Sequence, residues 1–313
     1  MTHEQQYTST SCKLYNHLNT LHSIRDFKKW YPICLQIAPT ELCNLNCKFC
    51  SVKNRGNKVL PFNAIMKTLN IMNGLKLQSI EITGGGDPTL YPQINELIEL
   101  THDTYDLKVG LITNGIKLDN IKSRNIRKLS WLRISLNGLD EGIMPKIPES
   151  VRCVLGFSYV WSKESTPDKL LEVYNLAKKY NVKYVRIVPD CLHIKHQSIL
   201  KKEVSYLIKK MKMGDKLFVQ TKNYEVYSKC YMGGLKPFLY TDGYIYQCSA
   251  VALYGRKFDP KWRICHMSEI NKIWPNNYKG INNEMCKKGK CFYYDQNKLL
   301  DEVQMKVKHC EFI

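Results

Sequence analysis

Three cysteines stand close together in the run Cys43-Asn44-Leu45-Asn46-Cys47-Lys48-Phe49-Cys50. This CxxxCxxC spacing lets one short loop hold three irons of a [4Fe–4S] cluster, which normally takes four cysteine ligands. The fourth iron is then open to something that is not protein. A tetrahedral zinc site fits less well, because it needs a second ligand pair at closing distance and usually opens with CxxC spacing. Further along, Thr83-Gly84-Gly85-Gly86-Asp87-Pro88 offers a tight turn and close backbone approach, which glycines permit. By itself a glycine triplet carries little; its position after the next strand gives it weight.

These loops need elements to hold them. Short apolar strands alternate with helical patterns from Ile33 onward, which predicts βα units and a parallel sheet. Strands are expected at 34–38, 79–83, 108–113, 132–136, 152–160 and 184–188. Helices are expected at 62–77, 92–102, 119–129, 168–180 and 199–213. The helix at 62–77 follows from Ile65, Leu69, Met72 and Leu75 on one face, and that at 168–180 from its Thr166-Pro167 entry. The stretch 137–150, where a fourth helix belongs, carries Gly and Pro and is weakly helical. Six units are too few to close an eight-stranded barrel, so an open barrel is expected, with its chemistry at the carboxyl ends of the strands. Both candidate loops fall at such ends. Residues 1–30 read as an extension or cap, and 238–246 as a hairpin with aromatic flanks around Asp242-Gly243.

Composition bounds the class. With 313 residues, 44% of them hydrophobic, the chain can bury a full core. No apolar run approaches the ~18 residues of a membrane span, and the polar start lacks the regions of a signal peptide. Thirteen cysteines without an export signal point to metal ligands in a reducing compartment, hence a cytoplasmic location. The net charge of +19 suggests an anionic partner, a nucleotide, nucleic acid or phosphorylated small molecule. The plain alternative is a Lys- and Asn-rich composition throughout, since no basic run is long enough to read as a nucleic-acid arm.

The cysteine loop, with a glycine turn one βα unit later, resembles the radical SAM superfamily. The resemblance implies a partial (β/α)6 TIM-like barrel over 31–213. Cys43, Cys47 and Cys50 would ligate a [4Fe–4S] cluster whose open iron chelates S-adenosylmethionine. Gly84, Gly85, Gly86 and Asp87 are similar to the family's GGE motif, with Asp for the more common Glu, and would meet the ligand's ammonium group. Asn114, Ser135 and Asn137, at the ends of the third and fourth strands, would face the ligand. Ser135 and Asn137 are the candidates for ribose hydroxyls and methionine carboxylate. Turn punctuation explains Asn114-Gly115 about as well. Phe49 and Val188 would cover the two faces of the adenine, although a bare aromatic and a bare β-branched residue are more often core.

The run Cys230, twelve residues, Gly243, four residues, Cys248 resembles the opening of the SPASM and Twitch extensions of the same superfamily. It implies a small cysteine-rich α+β domain over 214–313 holding an auxiliary cluster. The CxxCx5CxxxC series of a full SPASM domain is absent, so one cluster of the Twitch kind is expected. Its ligands would be Cys230, Cys248, Cys286 and Cys291, with Cys310 the alternative in the last place and Cys265 spare. Zinc is the alternative metal, since four cysteines do not distinguish the two. Cys12, Cys34, Cys153 and Cys191 read as small core residues.

The activity implied is reductive cleavage of S-adenosylmethionine to a 5′-deoxyadenosyl radical that removes hydrogen from a substrate, with the auxiliary cluster aiding oxidation, rearrangement or bond formation. The positive charge favours a nucleotide or nucleic-acid base. Maturation of a ribosomal peptide and dehydrogenation of a small metabolite stay open, as does a regulatory or scaffolding iron–sulfur protein. A flavodoxin or ferredoxin would supply electrons; no membrane partner is expected.

Overall fold

In the computed structural model of the chain, residues 2–148, 151–190, 197–214, 216–220, 225, 227–252, 260–282, 291–305 and 307–308 are described. The expected alternation is present. Parallel strands β1 (Cys34–Ile37), β2 (Ser79–Ile82), β3 (Lys108–Thr113), β4 (Leu129–Ser135), β5 (Val154–Trp161), β6 (Tyr184–Pro189) and β7 (Leu217–Val219) pair in chain order. α1 (His3–Tyr7) and α2 (Leu18–Phe27) precede the sheet. The connecting helices are α3 (Phe62–Gly74), α4 (Ile94–Asp103), α5 (Ser123–Ile126), α6 (Pro167–Lys179) and α7 (Gln197–Lys210).

Each long helix buries one stripe against the sheet. In α3 the stripe is Ile65, Leu69 and Met72, and in α4 it is Ile94, Leu97, Ile98 and Thr101. The start of α6 is held by the Thr166 hydroxyl, which accepts from the Lys169 amide, with Pro167 in the first turn. The structure is an open α/β barrel, as the alternating pattern predicts.

Three departures from the sequence expectation have physical causes. The helix expected at 119–129 is replaced by a 3-10 turn, Leu118–Asn120, and the short α5, and β4 begins earlier, at Leu129. Side-chain amides take over backbone partners there: Asn95 Oδ1 accepts from the Lys122 amide at 2.8 Å, and Asn120 Nδ2 donates to the Thr89 carbonyl at 2.9 Å. Second, β7 adds a strand beyond the six expected, pairing Val185 with Leu217.

Third, the hairpin expected at 238–246 joins the barrel sheet, a pairing not part of the sequence expectation. β8 (Lys229–Cys230) and α8 (Met232–Leu235) lead into β9 (Phe238–Leu239), which runs parallel to β1, Gln36 opposite Phe238. β10 (Tyr244–Tyr246) and β11 (Arg263–His266) follow antiparallel, making one ten-stranded sheet among the described residues. An open barrel leaves β1 as an edge of unpaired backbone groups, and the hairpin covers it. α9 (Ile270–Ile273), β12 (Ile281–Asn282), which pairs with β8, and α10 (Tyr294–Gln304) complete the chain. A single hydrophobic cluster runs from Leu14 and Ile24 through the barrel to Trp274 and Leu300. Among the described residues no helix is long and apolar enough to cross a membrane.

Candidate functional site

The cysteine loop leaves β1 at its carboxyl end and is tied down on both sides. Thr40 bridges to Val59, the Cys50 amide donates to the Cys47 carbonyl at 3.0 Å, and Arg55 Nη2 donates to the Leu45 carbonyl at 2.7 Å. Arg55 Nη1 lies 3.6 Å from Cys50 Sγ, a cation beside a thiol. Burial pushes the Cys43 thiol up, and it pushes Cys47 up to about 11, with repulsion from Cys50 and Cys43 adding to the rise. Thiolates crowded this way are stabilised by a shared cationic centre, which is what a cluster's irons provide. Among the described residues no group of three or more Cys, His, Asp and Glu side chains converges as a single metal ion would require.

The glycine turn packs directly on this loop. The Gly86 amide donates to the Thr40 carbonyl at 2.9 Å and the Asp87 amide to the Leu42 carbonyl at 2.6 Å. A Cβ on Gly86 would stand 1.9 Å from the Leu42 oxygen, so no other residue fits. Asp87 is 4% exposed, and its carboxylate points inward. Oδ1 accepts from the Thr89 amide and hydroxyl at 3.0 and 2.6 Å, and both oxygens accept from the Thr113 hydroxyl, at 2.8 and 2.9 Å. Oδ2 also accepts from the Asn114 amide at 2.7 Å. The carboxylate expected at the ammonium group is thus engaged by Thr89, Thr113 and Asn114. It caps the 3-10 turn Pro88–Leu90 and ties the ends of β2 and β3 together.

At the end of β3, Asn114 Nδ2 donates to Asn44 Oδ1 at 2.7 Å and lies 4.0 Å from Cys43 Sγ, while its Oδ1 accepts from the Ile116 amide. The residue therefore serves both readings, turning the backbone locally and reaching the cysteine loop. At the end of β4, Asn137 Oδ1 accepts from Ser135 Oγ at 3.0 Å and from the Val160 amide at 3.4 Å. Those two donors assign the amide's orientation and leave Asn137 Nδ2 a buried donor without a partner among the described residues. Phe49 and Val188 both line a cavity of about 500 Å3 inside the barrel.

Charged residues that sequence reasoning missed line the same cavity: Glu81, Arg133, Arg186 and Lys236. A signal was present, since each of the first three interrupts an apolar strand (Ser79–Ile82, Leu129–Ser135, Tyr184–Pro189) at mid-length. Glu41 was missed as well. Its carboxylate accepts from the Tyr240 hydroxyl at 2.7 Å, Thr241 Oγ1 at 2.9 Å and the Lys58 amide at 3.0 Å, binding the cysteine loop to the C-terminal hairpin. Burial alone would raise this carboxyl, but those hydrogen bonds outweigh it and hold the group below its ordinary value.

Cys230 and Cys291 are buried and Cys248 half-buried. Burial raises Cys230 to about 12, and Cys291 adds to the rise. Tyr278, raised mainly by burial, is raised further by both Cys230 and Cys248. Asn297 Nδ2 points at Cys230 Sγ from 3.8 Å. Cys286, Cys310 and Cys191 lie outside the described residues. Cys265 sits on β11 opposite Ile245, while Cys12, Cys34 and Cys153 are half-buried.

Residues 37–192 match the Radical SAM superfamily. The chain is 25% identical over 202 residues to the GTP 3′,8-cyclase of Clostridium perfringens, covering 57% of this chain and 62% of that protein. It is 30% identical over 178 residues to an uncharacterised protein of Methanocaldococcus jannaschii, covering 54% and 56%. The chain thus spans 56% to 62% of the length of these relatives. Among solved structures, Streptococcus suis SuiB bound to S-adenosylmethionine aligns with a TM-score of 0.60 at 16% identity, over 85% of this chain and 71% of that one. Native anSMEcpe with bound AdoMet and a Cp18Cys peptide aligns at 0.53 and 14%, over 90% and 86%. The structural likenesses carry the fold and the match over 37–192 carries the family: the chain belongs to the radical SAM superfamily.

Proposed function

We propose that the chain binds S-adenosylmethionine at a [4Fe–4S] cluster on Cys43, Cys47 and Cys50 and abstracts a hydrogen atom from an anionic substrate in the barrel. The observation that carries this reading is the joining of the cysteine loop to the glycine turn by two backbone hydrogen bonds at the carboxyl ends of β1 and β2. When bound, the cluster supplies the electron that breaks the sulfonium's carbon–sulfur bond and frees a 5′-deoxyadenosyl radical. The residues do the rest. Asn137 Nδ2 has a donor to give to a ribose hydroxyl or carboxylate, and Ser135 holds the amide in place. Phe49 and Val188 confine the adenine. The ammonium group falls to backbone oxygens of Gly84–Gly86, which Asp87 positions from behind. Setting the reacting atoms inside the barrel limits the access of water and solvent thiols to them.

A second cluster in the C-terminal segment, on Cys230, Cys248 and Cys291 with Cys286 as fourth ligand, is supported by the electrostatic influence of Cys291 on Cys230 and of Cys230 and Cys248 on Tyr278. A one-electron reductase of the flavodoxin or ferredoxin class would feed the first cluster. A phosphorylated or nucleotide-like substrate is favoured by the likeness to the GTP cyclase and by the cations in the lumen. A peptide substrate is the second reading, favoured by the fold likeness to SuiB bound to its precursor peptide SuiA, with a TM-score of 0.56 over 97% of this chain.

The test is a variant with Cys43, Cys47 and Cys50 all replaced by Ala. It should lose about half of its iron if two four-iron clusters are present, and all binding of S-adenosylmethionine. Full iron content with retained cleavage of S-adenosylmethionine would refute the assignment.

A further inference from the structure

The barrel lumen holds more positive charge than its own carboxylate balances. Among the described residues, four cations, Lys13, Arg133, Arg186 and Lys236, line the cavity against one acid, Glu81. Lys236 is spoken for: its ammonium lies 2.9 Å from Glu81, whose other oxygen accepts from Gln36 at 2.8 Å. Arg133 is also engaged. Nε donates to the Tyr184 hydroxyl at 3.0 Å, Nη2 donates to the Tyr7 carbonyl at 3.1 Å, and the guanidinium lies 5.1 Å from the Trp131 ring centroid.

Arg186 has no such engagement. Its Nε is sealed from solvent and has no hydrogen-bond partner, and no carboxylate pairs with it among the described residues. Burial, and then repulsion from Arg133, lowers it to about 9, so at neutral pH it is still charged. The residue is half-buried, but a sealed donor on a cation is costly unless something anionic joins it.

The cavity has a floor beneath these groups and an opening toward the cluster loop. Along β4 the inward row runs Trp131, Arg133, Ser135, and along β6 it runs Tyr184, Arg186, Val188, each from amino to carboxyl end. Trp131 lies across Gly110 and Tyr184 across Gly156: a Cβ on either glycine would fall within 2.2 Å of the ring, so the two glycines make room for the floor. Tyr7 stacks on Tyr184 at 4.5 Å and closes it from below. Arg186 therefore stands between an aromatic floor and the end where Phe49 and Val188 face the cavity.

We propose that Arg186 anchors an oxyanion carried by the substrate, a carboxylate or a phosphate, with Arg133 and Lys236 contributing charge from below. The planar guanidinium presents parallel donors that match either group, and a lumen of about 500 Å3 admits a small molecule or a single projecting side chain. The inference rests on the proposed reaction in one respect: the anion belongs to the molecule that loses hydrogen.

The test uses reconstituted full-length protein titrated calorimetrically with inorganic pyrophosphate and with succinate, with and without saturating S-adenosylmethionine. Arg186→Gln should weaken the tighter probe about tenfold or more, Arg186→Lys should keep part of the affinity, and S-adenosylmethionine should bind all three proteins alike. Tighter pyrophosphate assigns a phosphorylated substrate, and tighter succinate a carboxylate. Glu81→Gln reads in the opposite direction: removing the lumen's one acid should tighten the probe, which keeps the inference testable if Arg186→Gln does not fold. Equal probe affinity in wild type and Arg186→Gln overturns it, as does unchanged or weaker binding in Glu81→Gln. So does mutual exclusion of the anions and S-adenosylmethionine, because the arginine would then serve the cofactor. Cleavage of S-adenosylmethionine under dithionite, measured on the same samples, separates the two proposals: cleavage with no anion binding sinks only the lumen site, and anion binding with no cleavage sinks only the reaction.

Discussion

Two side chains at the strand ends divide the work between contact and support. Asn137 offers a buried amide donor whose orientation is set by Ser135 and the Val160 amide. Replacing it with Ala removes that donor while leaving the cluster loop untouched. S-adenosylmethionine affinity should fall about tenfold, from the loss of a hydrogen bond worth about 1–1.5 kcal/mol, at constant iron content. Equilibrium dialysis with labelled ligand reads this directly, and an unchanged affinity would remove Asn137 from the site. Asp87 sits one layer behind. Asp87→Ala strands the Thr113 hydroxyl and the Asn114 amide, so it should lower global stability by about 1–3 kcal/mol per buried donor left unpaired. It should also weaken ligand binding through the glycine turn. Weakened binding at full stability, seen by urea titration, would mean that Asp87 touches the ligand directly.

At the scale of elements, the cysteine loop is clasped between the glycine turn and the C-terminal hairpin. Glu41 is the clasp, holding Tyr240 and Thr241 across 199 and 200 positions of chain. Glu41→Gln should cost about 1–3 kcal/mol and raise the loop's mobility. The carboxyl is held low in the folded protein, so its contribution is present above the unfolded-state value of about 4.3 and is lost as pH falls through the lower folded value. The wild type should therefore lose stability more steeply than Glu41→Gln as pH falls from about 4.3 through the lower folded value. Parallel slopes in acid denaturation would show that the carboxylate does not stabilise the clasp.

Across the whole molecule, the C-terminal segment is both an extension of the barrel sheet and the carrier of Cys230, Cys248 and Cys291. These two attachments should respond differently to metal removal. β9 is held by backbone pairing to β1, whereas on the proposed reading Cys230, Cys248 and Cys291 depend on a bound cluster. Thiolate ligation contributes folding energy where no preformed site exists. Combined Cys230→Ala and Cys291→Ala replacement, or chelation, should therefore speed amide exchange in 227–235 and 278–282 well before 238–246 or the barrel strands. The iron content should fall by about half in a protein that still binds S-adenosylmethionine. Uniform exchange throughout, or zinc in place of iron, would refute an auxiliary cluster in this segment.

The strand and helix periodicities, the helix entry at Thr166-Pro167 and the cysteine spacing were all readable by position, because each depends on residues a few places apart. The open barrel followed from them, as did the placement of both loops at strand ends. The failures were of a different kind. Residues 119–129 do not wind into one helix because Asn95 and Asn120 bond across to other segments, and no local pattern records those partners. The hairpin at 238–246 was legible, but its pairing with β1 was not: backbone groups at a sheet edge carry no residue signature. Asp87 could be located by motif, yet whether its carboxylate faced a ligand or Thr113 depended on how β2 and β3 lie together. Arg186 could be read as a charge in an apolar strand, but only the assembled barrel decides that it faces the lumen with no carboxylate paired to it among the described residues. Local spacing determined the chemistry this chain is built to hold, and long-range contact decided which side chains are left free to meet a ligand.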